Sequence, residues 1–350
     1  MRDLLFHPGH LGDMVLLAQA TVGMALPESG LDLLVRRQSV PLAAGWSRGE
    51  VHILPDGLAA PRVPLRSWLG WALMRGPVGG GVDALVTLRP GRRWQAVSRL
   101  VQASNRVAVE PDPARDRRTG TFPMESQHEV VRLRDALRGI EQRQASVRPV
   151  QEQDWPQVFP SRPRASSASS GPVVLHVGSN HLKKELGLEF LYRLCRRLLM
   201  EFRCDLVLTG ASQREVAIAG ELRSRLGAAV DDKTGQLTLT QLQHVFDQAS
   251  AFLGYDSGPT HLAAARGTPV LAIFCGTNMF QWRPFGPIGS ARVFAVDRER
   301  VNADEAVLDA VVAFTVESLS EVLDANQQSN SGRSIAEVLE PPVLLTPSVR

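Results

Sequence analysis

The chain has 350 residues, enough for two ordinary domains. Hydrophobic content of 44% and charged content of 21% are those of a folded globular protein rather than a disordered one, and a net charge of only +3 gives no reason to expect a nucleic-acid partner. Cys195, Cys204 and Cys275 are odd in number and lack CxxC spacing, which argues against a disulfide framework or a cysteine metal site and fits a reducing compartment.

The first strand-like run, "LLF" (4–6), leads into "HPGHLGDM", His7 to Met14. Two glycines bracket a turn, as in phosphate-binding loops, yet Asp13 puts a carboxylate where a phosphate would sit. Read locally, Asp13 is a helix cap. A faint signal-peptide character is interrupted by Asp3 and Asp13 and lacks a cleavage site. No apolar run approaches the ~18 residues that span a bilayer, so a cytoplasmic protein is expected.

Further strands are expected at "LDLLV" (31–35), "VDALVTL" (82–88) and "NRVAVE" (105–110). Between them, "VPLRSWLGWALMR" (63–75) mixes Arg66 and Arg75 with Trp68 and Trp71. It is open to two readings: a packed helix, or a surface that grips an amphiphilic acceptor or rests on the inner face of the cytoplasmic membrane. From Arg92 to Arg148 twelve Arg face seven acidic residues. That excess is either a solvated surface or a face for an anionic acceptor. "PSRPRASSASSGP" (160–172) has no apolar period and reads as a linker. The expected organisation is therefore a first domain at 1–158, a linker at 159–170, a second domain at 171–324 and a tail at 325–350.

In the second half, strands are expected at "PVVLHVG" (172–178), "CDLVLTG" (204–210), "AFLGY" (251–255), "PVLAIFC" (269–275) and "ARVFAV" (291–296), with helices at Leu188–Phe202 and Gln213–Leu226. Continuous apolar strands alternating with helices predict an α/β fold of two doubly wound, Rossmann-like domains with a cleft between them. "LHVGSNHLKK" (175–184) runs from a buried strand into small polar residues and then an ammonium pair. Only three of the 39 basic residues are lysine, and two of them are Lys183 and Lys184. Either they meet a phosphoryl group or they are surface lysines. In "GYDSGPTHLAAARGTPVLAIF" (254–274), Ser257 can cap a helix that Pro259 opens and Gly267 ends. The free N–H groups of that helix start suit a diphosphate; an ordinary well-capped turn is the other reading.

No GxGxxG follows a strand, so a nicotinamide-dependent dehydrogenase loses its support. HExxH, GxxxxGK[ST] and GxSxG are absent from the sequence, and no DxD motif sits on a strand end, so no metal or other cofactor is expected.

Taken together, these motifs resemble the ADP-heptose–lipopolysaccharide heptosyltransferases, family nine of the glycosyltransferases. "GYDSGPTHLAAARGTPVLAIF" is similar to the family's D-[ST]-G-x-x-H-L-A-A-A-x-G-T-P signature, and "WRPFGP" (282–287) to a further pattern. "GHLGDMVL" resembles G-x-x-G-D-x-[VL], and "LHVGSNHLKK" resembles H-x-G-S-x-x-x-x-K. "TGQLTLTQL" (234–242) and "HEVVRLRDALRGI" (128–140) match in place and order. The resemblance implies a glycosyltransferase of the B type whose first domain binds the acceptor and whose second binds the nucleotide sugar, with inversion and no metal.

By position, the resemblance makes Asp13 the base and Lys184 the residue facing the diphosphate. Ser179 and Asn180 are the preceding polar pair, and Asp256 lies near the donor sugar. Ser257, Gly258 and His261 are helix-start contacts. Leu237 offers a backbone group to adenine and Gln213 meets the ribose, where the family often has Glu. Gly12, Arg62 and Arg66 are the acceptor-side candidates, and the implied partners are a nucleotide sugar and an anionic glycan or glycolipid. The family's lysine is usually followed by x-W-P; here Glu185, Leu186 and Gly187 follow Lys184. A sugar-nucleotide 2-epimerase of the same architecture and a non-catalytic nucleotide-sugar binder are the alternative functions.

Overall fold

The computed structural model describes residues 3–7, 10–21, 31–46, 49–54, 82–87, 103–108, 128–141, 171–286, 291–330 and 343–344. The chain divides into two compact units, Met1–Phe159 and Pro160–Arg350. Arg62 and Arg66, the stretch 63–75 and the linker 159–170 lie outside the described residues.

In unit one the described strands are β1 (Asp3–His7), β2 (Asp32–Arg36), β3 (Val51–Leu54), β4 (Val82–Thr87) and β5 (Ala103–Ala108). They form one sheet in the order β3-β2-β1-β4-β5, and every pair is parallel. Helix α1 (Leu11–Ala20) follows β1 directly, and Met14 to Ala20 are all buried. This is why the run has no polar face: it is a core helix, not an amphipathic one. Helices α2 (Val40–Trp46) and α3 (Glu129–Glu141) complete the described part, α3 packing on α1.

Unit two carries β6 (Val173–His176), α4 (Leu188–Glu201), β7 (Leu206–Thr209), α5 (Gln213–Leu226), β8 (Val230–Asp232), α6 (Leu239–Gln248), β9 (Ala251–Tyr255), α7 (Gly258–Ala265), β10 (Val270–Phe274), α8 (Met279–Trp282), β11 (Ala291–Ala295), α9 (Arg298–Ala303), α10 (Glu305–Asn330) and β12 (Val343–Leu344). Its sheet runs β12-β11-β10-β9-β6-β7-β8, again with parallel pairs throughout. The four residues of β6 and of β7, and the five of β9 and of β10, are buried without exception. Helices therefore cover both faces, which is the condition for continuous apolar strands. Leu191, Leu194 and Leu198 of α4 and Val312, Val316 and Leu319 of α10 join these strands in one core.

The strands that sequence patterning missed are β3, β8 and β12, and all three are sheet edges. In the stretch 325–350, for which the sequence carried no structural expectation, α10 runs to Asn330, and Val343–Leu344 pairs with Phe294 and Ala295 of β11.

Both sheets reverse direction of winding beside their first strand, between β1 and β4 in unit one and between β6 and β9 in unit two. In open α/β sheets, ligands bind outside the carboxyl ends of the strands at such a reversal. The first turn of α1, just after β1, carries Gly12 and Asp13; the loop after β6 carries Ser179 to Lys184, and the turn after β9 carries Asp256 and Ser257, with Gly258 opening α7.

Candidate active site

In unit two, the loop after β6 folds into a short 3-10 turn at Leu182–Lys184. It brings the Lys184 ammonium to 2.6 Å from Asp256 Oδ2, across 72 residues of sequence. Asp256 is 5% exposed, and His261, equally buried, places Nε2 3.7 Å from Asp256 Oδ1, too long for a direct hydrogen bond but close enough to act electrostatically. Burial pushes the Asp256 carboxyl up, but the His261 imidazole and the Lys184 charge outweigh it and hold it at about 2. The carboxylate is therefore ionised at neutral pH. Lys184 offers three N–H donors and Asp256 takes one of them. His261 Nδ1 is buried with no hydrogen-bond partner among the described residues.

Asp256 stands immediately before α7. Ser257 holds the N-cap position, as expected, but its hydroxyl does not cap the backbone; it pairs with the Thr260 hydroxyl at 2.9 Å. Thr260 in turn donates to the Tyr255 carbonyl, tying the helix start to the end of β9. At the far end the Gly267 N–H donates to the Ala264 carbonyl and the Thr268 N–H to the Ala263 carbonyl, with Gly267 at φ 75°. That double closure needs a left-handed residue, which is what the glycine supplies.

Below the loop lies a second buried pair. Glu215 accepts the Ala211 and Ser212 N–H groups at 2.9 and 2.7 Å and the Ser212 hydroxyl at 2.7 Å. His176 Nε2 lies 3.4 Å from its other oxygen. Burial raises the Glu215 carboxyl, but His176 and Ser212 together hold it well below the usual carboxylate range. Gly178 and Gly210 stand against this side chain. A Cβ at Gly178 would come within 2.6 Å of Glu215 Cγ, and one at Gly210 within 2.6 Å of Glu215 Cβ. Gly210→Ala is therefore expected to cost about 1–3 kcal/mol, read as a lowered urea midpoint. Gly220→Ala, within α5 and with open space around its Cβ, is the control, expected to stabilise by about 0.8 kcal/mol.

Two ribose-side and base-side candidates sit where a second and third strand end. Gln213 is the first residue of α5 and is exposed, beside the end of β7. Leu237 is half-buried in the turn between β8 and α6. Asn180 is exposed; Ser179 is buried, its hydroxyl donating to the His181 carbonyl at 3.0 Å. Sequence reasoning missed Glu185 and Arg214. Glu185 accepts hydrogen bonds from the Ser179 N–H and from both Arg214 terminal nitrogens. No sequence signal singled them out: Glu185 fills the variable position between Lys184 and the departures at Leu186 and Gly187.

In unit one, Asp13 is the third residue of α1. The His10 N–H donates to Asp13 Oδ2 at 2.7 Å, in a reciprocal capping box. The capping reading of Asp13 is thus realised in the local geometry, and Gly12 is buried beside it. Among the described residues one cluster has ligand atoms close enough for an ion: Asp32, Glu50 and His52, within 4.8 Å of one another. It stands at the amino-terminal starts of β2 and β3, the opposite end of the sheet from Asp13, and Asp32 there accepts the Glu50 N–H at 2.9 Å. Among the described residues no helix is long and apolar enough to cross a membrane.

Two parallel sheets of Rossmann type, each with its polar motif at a winding reversal, define the class: a two-domain α/β protein of the glycosyltransferase B type. The family model "Glycosyltransferase family 9 (heptosyltransferase)" matches residues 115–304, which include Lys184, Gln213, Leu237, Asp256 and His261 and not Asp13. The chain belongs to that family. Lipopolysaccharide heptosyltransferase 3 of Escherichia coli (strain K12) is 35% identical over 83 residues, 23% of this chain and 24% of the relative. Matches to the two curated heptosyltransferase 3 sequences thus span only 15% and 24% of their length. Among solved structures, "E. coli heptosyltransferase WaaC with ADP" superposes with a TM-score of 0.62 at 18% identity, covering 91% of this chain and 99% of that one. A family 9 glycosyl transferase from Veillonella parvula superposes at 0.67 and 14% identity, covering 92% and 97%.

Proposed function

We propose that the protein is an inverting, metal-independent glycosyltransferase that moves a heptose from ADP-heptose to a lipopolysaccharide inner-core acceptor. The observation that carries this reading is the Lys184–Asp256–His261 cluster at the winding reversal of unit two, next to the start of α7. A departing nucleoside diphosphate gathers negative charge, and the Lys184 ammonium together with the N–H groups at the α7 start supply what neutralises it. Those groups do the work of a bound cation, and the sequence offers no DxD motif for one. Asp256 and His261 then orient Lys184 and meet the sugar. In this reading Gln213, which opens α5 after β7, meets the ribose, and Leu237, after β8, meets the base. The solved relatives support the donor class: one is described with ADP and another as an ADP-heptose lps heptosyltransferase.

On the acceptor side, Asp13 takes the proton of the attacking hydroxyl. One displacement at the anomeric carbon inverts it. Asp13 repels a phosphate, which separates its task from that of the Lys184 site. Gly12, Arg62 and Arg66 belong to this side in the proposal. Three free cysteines suit a reducing compartment, and we place the reaction in the cytoplasm.

The test is transfer from ADP-heptose to an inner-core oligosaccharide in excess EDTA, with the product's anomeric configuration read by NMR. Inverted product formed in chelator is expected. Strict metal dependence contradicts the account of Lys184. Conversion of the nucleotide sugar with no acceptor present replaces the reading with an epimerase, and donor binding without either reaction replaces it with a binding protein.

A further inference from the structure

We propose that Glu185 is a positioning residue that holds Lys184 at the site through a two-arginine clamp and so sets the grip on the donor diphosphate. The proposal deepens the reading of Lys184 above and rests on it.

Lys184 is carried by a three-residue 3-10 turn, a weak structure by itself. Fixing a lysine side chain costs it rotamer freedom. A loop free to move would not aim it. Leu186 and Gly187 follow Glu185, and a glycine leaves its backbone conformationally free. The loop therefore needs another restraint.

Glu185 supplies it. The residue is 4% exposed. Its Oε1 accepts the Ser179 N–H, six residues back, and so closes the loop into a ring around Lys184. Arg214, from the first turn of α5, grips both carboxylate oxygens, one of them at 2.6 Å. The same guanidinium donates to the Ser179 carbonyl at 2.8 Å. Arg298, at the start of α9, donates Nε to the Glu185 carbonyl at 2.7 Å. The Glu185 carboxylate thus ties both ends of the Lys184 loop to α5 through Arg214, and the Glu185 backbone carbonyl ties it to α9 through Arg298. A two-pronged guanidinium–carboxylate pair is directional as well as strong. The contrast with its neighbour is direct: Lys183 is exposed, while Lys184 is half-buried on Asp256.

The rarity of lysine makes the test clean. The chain contains only Lys183, Lys184 and Lys233. Reductive methylation with a 13C label places one probe on each lysine and one on the amino terminus. The intact chain is expected to show a Lys184 signal displaced from that of exposed Lys183. In Glu185→Ala and in Arg214→Gln the Lys184 signal is expected to collapse onto the Lys183 position. With ADP as the calorimetric probe, Glu185→Ala is expected to weaken binding about tenfold, the scale of a lost charged hydrogen bond. In a Lys184→Ala background, Glu185→Ala is expected to add less than about twofold, because it acts through Lys184.

An unmoved Lys184 signal in a folded variant overturns the proposal. So does an equal loss of ADP affinity in both backgrounds, which is what a merely structural role produces. Should Glu185→Ala fail to fold, Arg214→Gln gives the same readout, since its side chain is 35% exposed. If the intact chain binds no ADP, the donor-site reading fails, and the methyl spectrum still decides the clamp.

Discussion

Asp13→Asn is expected to lower the transfer rate by roughly 10²–10⁴-fold, the range for losing a general base. The substitution is selective because of what the structure shows at His10. Asp13 Oδ2 accepts the His10 N–H at 2.7 Å, and an asparagine oxygen can accept the same bond. The helix cap survives while the proton acceptor is lost. Asp13→Ala removes both and adds about 0.5–2 kcal/mol of destabilisation. ADP affinity should stay within about twofold in Asp13→Asn, since a base that acts only on the acceptor leaves ground-state donor binding alone. A loss of ADP binding with normal turnover would sink the assignment.

The second large effect is expected from Lys184→Ala, roughly 10²–10³-fold in rate, comparable to removing one preorganised charge-stabilising donor. It carries a pH signature of its own. Asp256 has a reference value of 3.8 and is held at about 2 in the folded chain, burial opposed by His261 and Lys184. A carboxyl with a depressed folded-state value stabilises the fold above its unfolded value and loses that contribution as pH falls through the folded one. The intact chain should therefore lose about 2 kcal/mol between pH 4 and 2 from this group. Without Lys184 the burial effect is less opposed, so the folded value rises and less is lost over the same window. Denaturant unfolding of both chains at pH 5, 4, 3 and 2 measures the difference. Parallel pH curves would show that Lys184 does not set the charge state of Asp256.

Much of the fold was legible because its elements are local and buried. "AFLGY" is β9 to the residue, and Gln213–Leu226 is α5 to the residue. A strand covered on both faces must be apolar throughout, and a helix covered on one face shows its period. Three of the four described edge strands, β3, β8 and β12, were not legible for the complementary reason. "VDD" in β8 buries one residue of three, so its only strand signal is pairing with β7, which no local pattern encodes. Length added to this at β12, whose two residues pair with β11.

At the site, the sequence by itself determined the polar motifs, the glycine turns that carry them and the helix start after β9, because each is a property of a short stretch. Only the tertiary structure decided which of these groups meet. Lys184 reaches Asp256 across 72 residues, and Glu185 is held by Arg214 and Arg298 from 29 and 113 residues away. A charge in a sequence has no partner until the chain is folded, and the strength of an ion pair depends on burial and distance together. For the same reason nothing in the sequence marked Glu185, which fills the variable position after Lys184; only the fold ties it to two arginines.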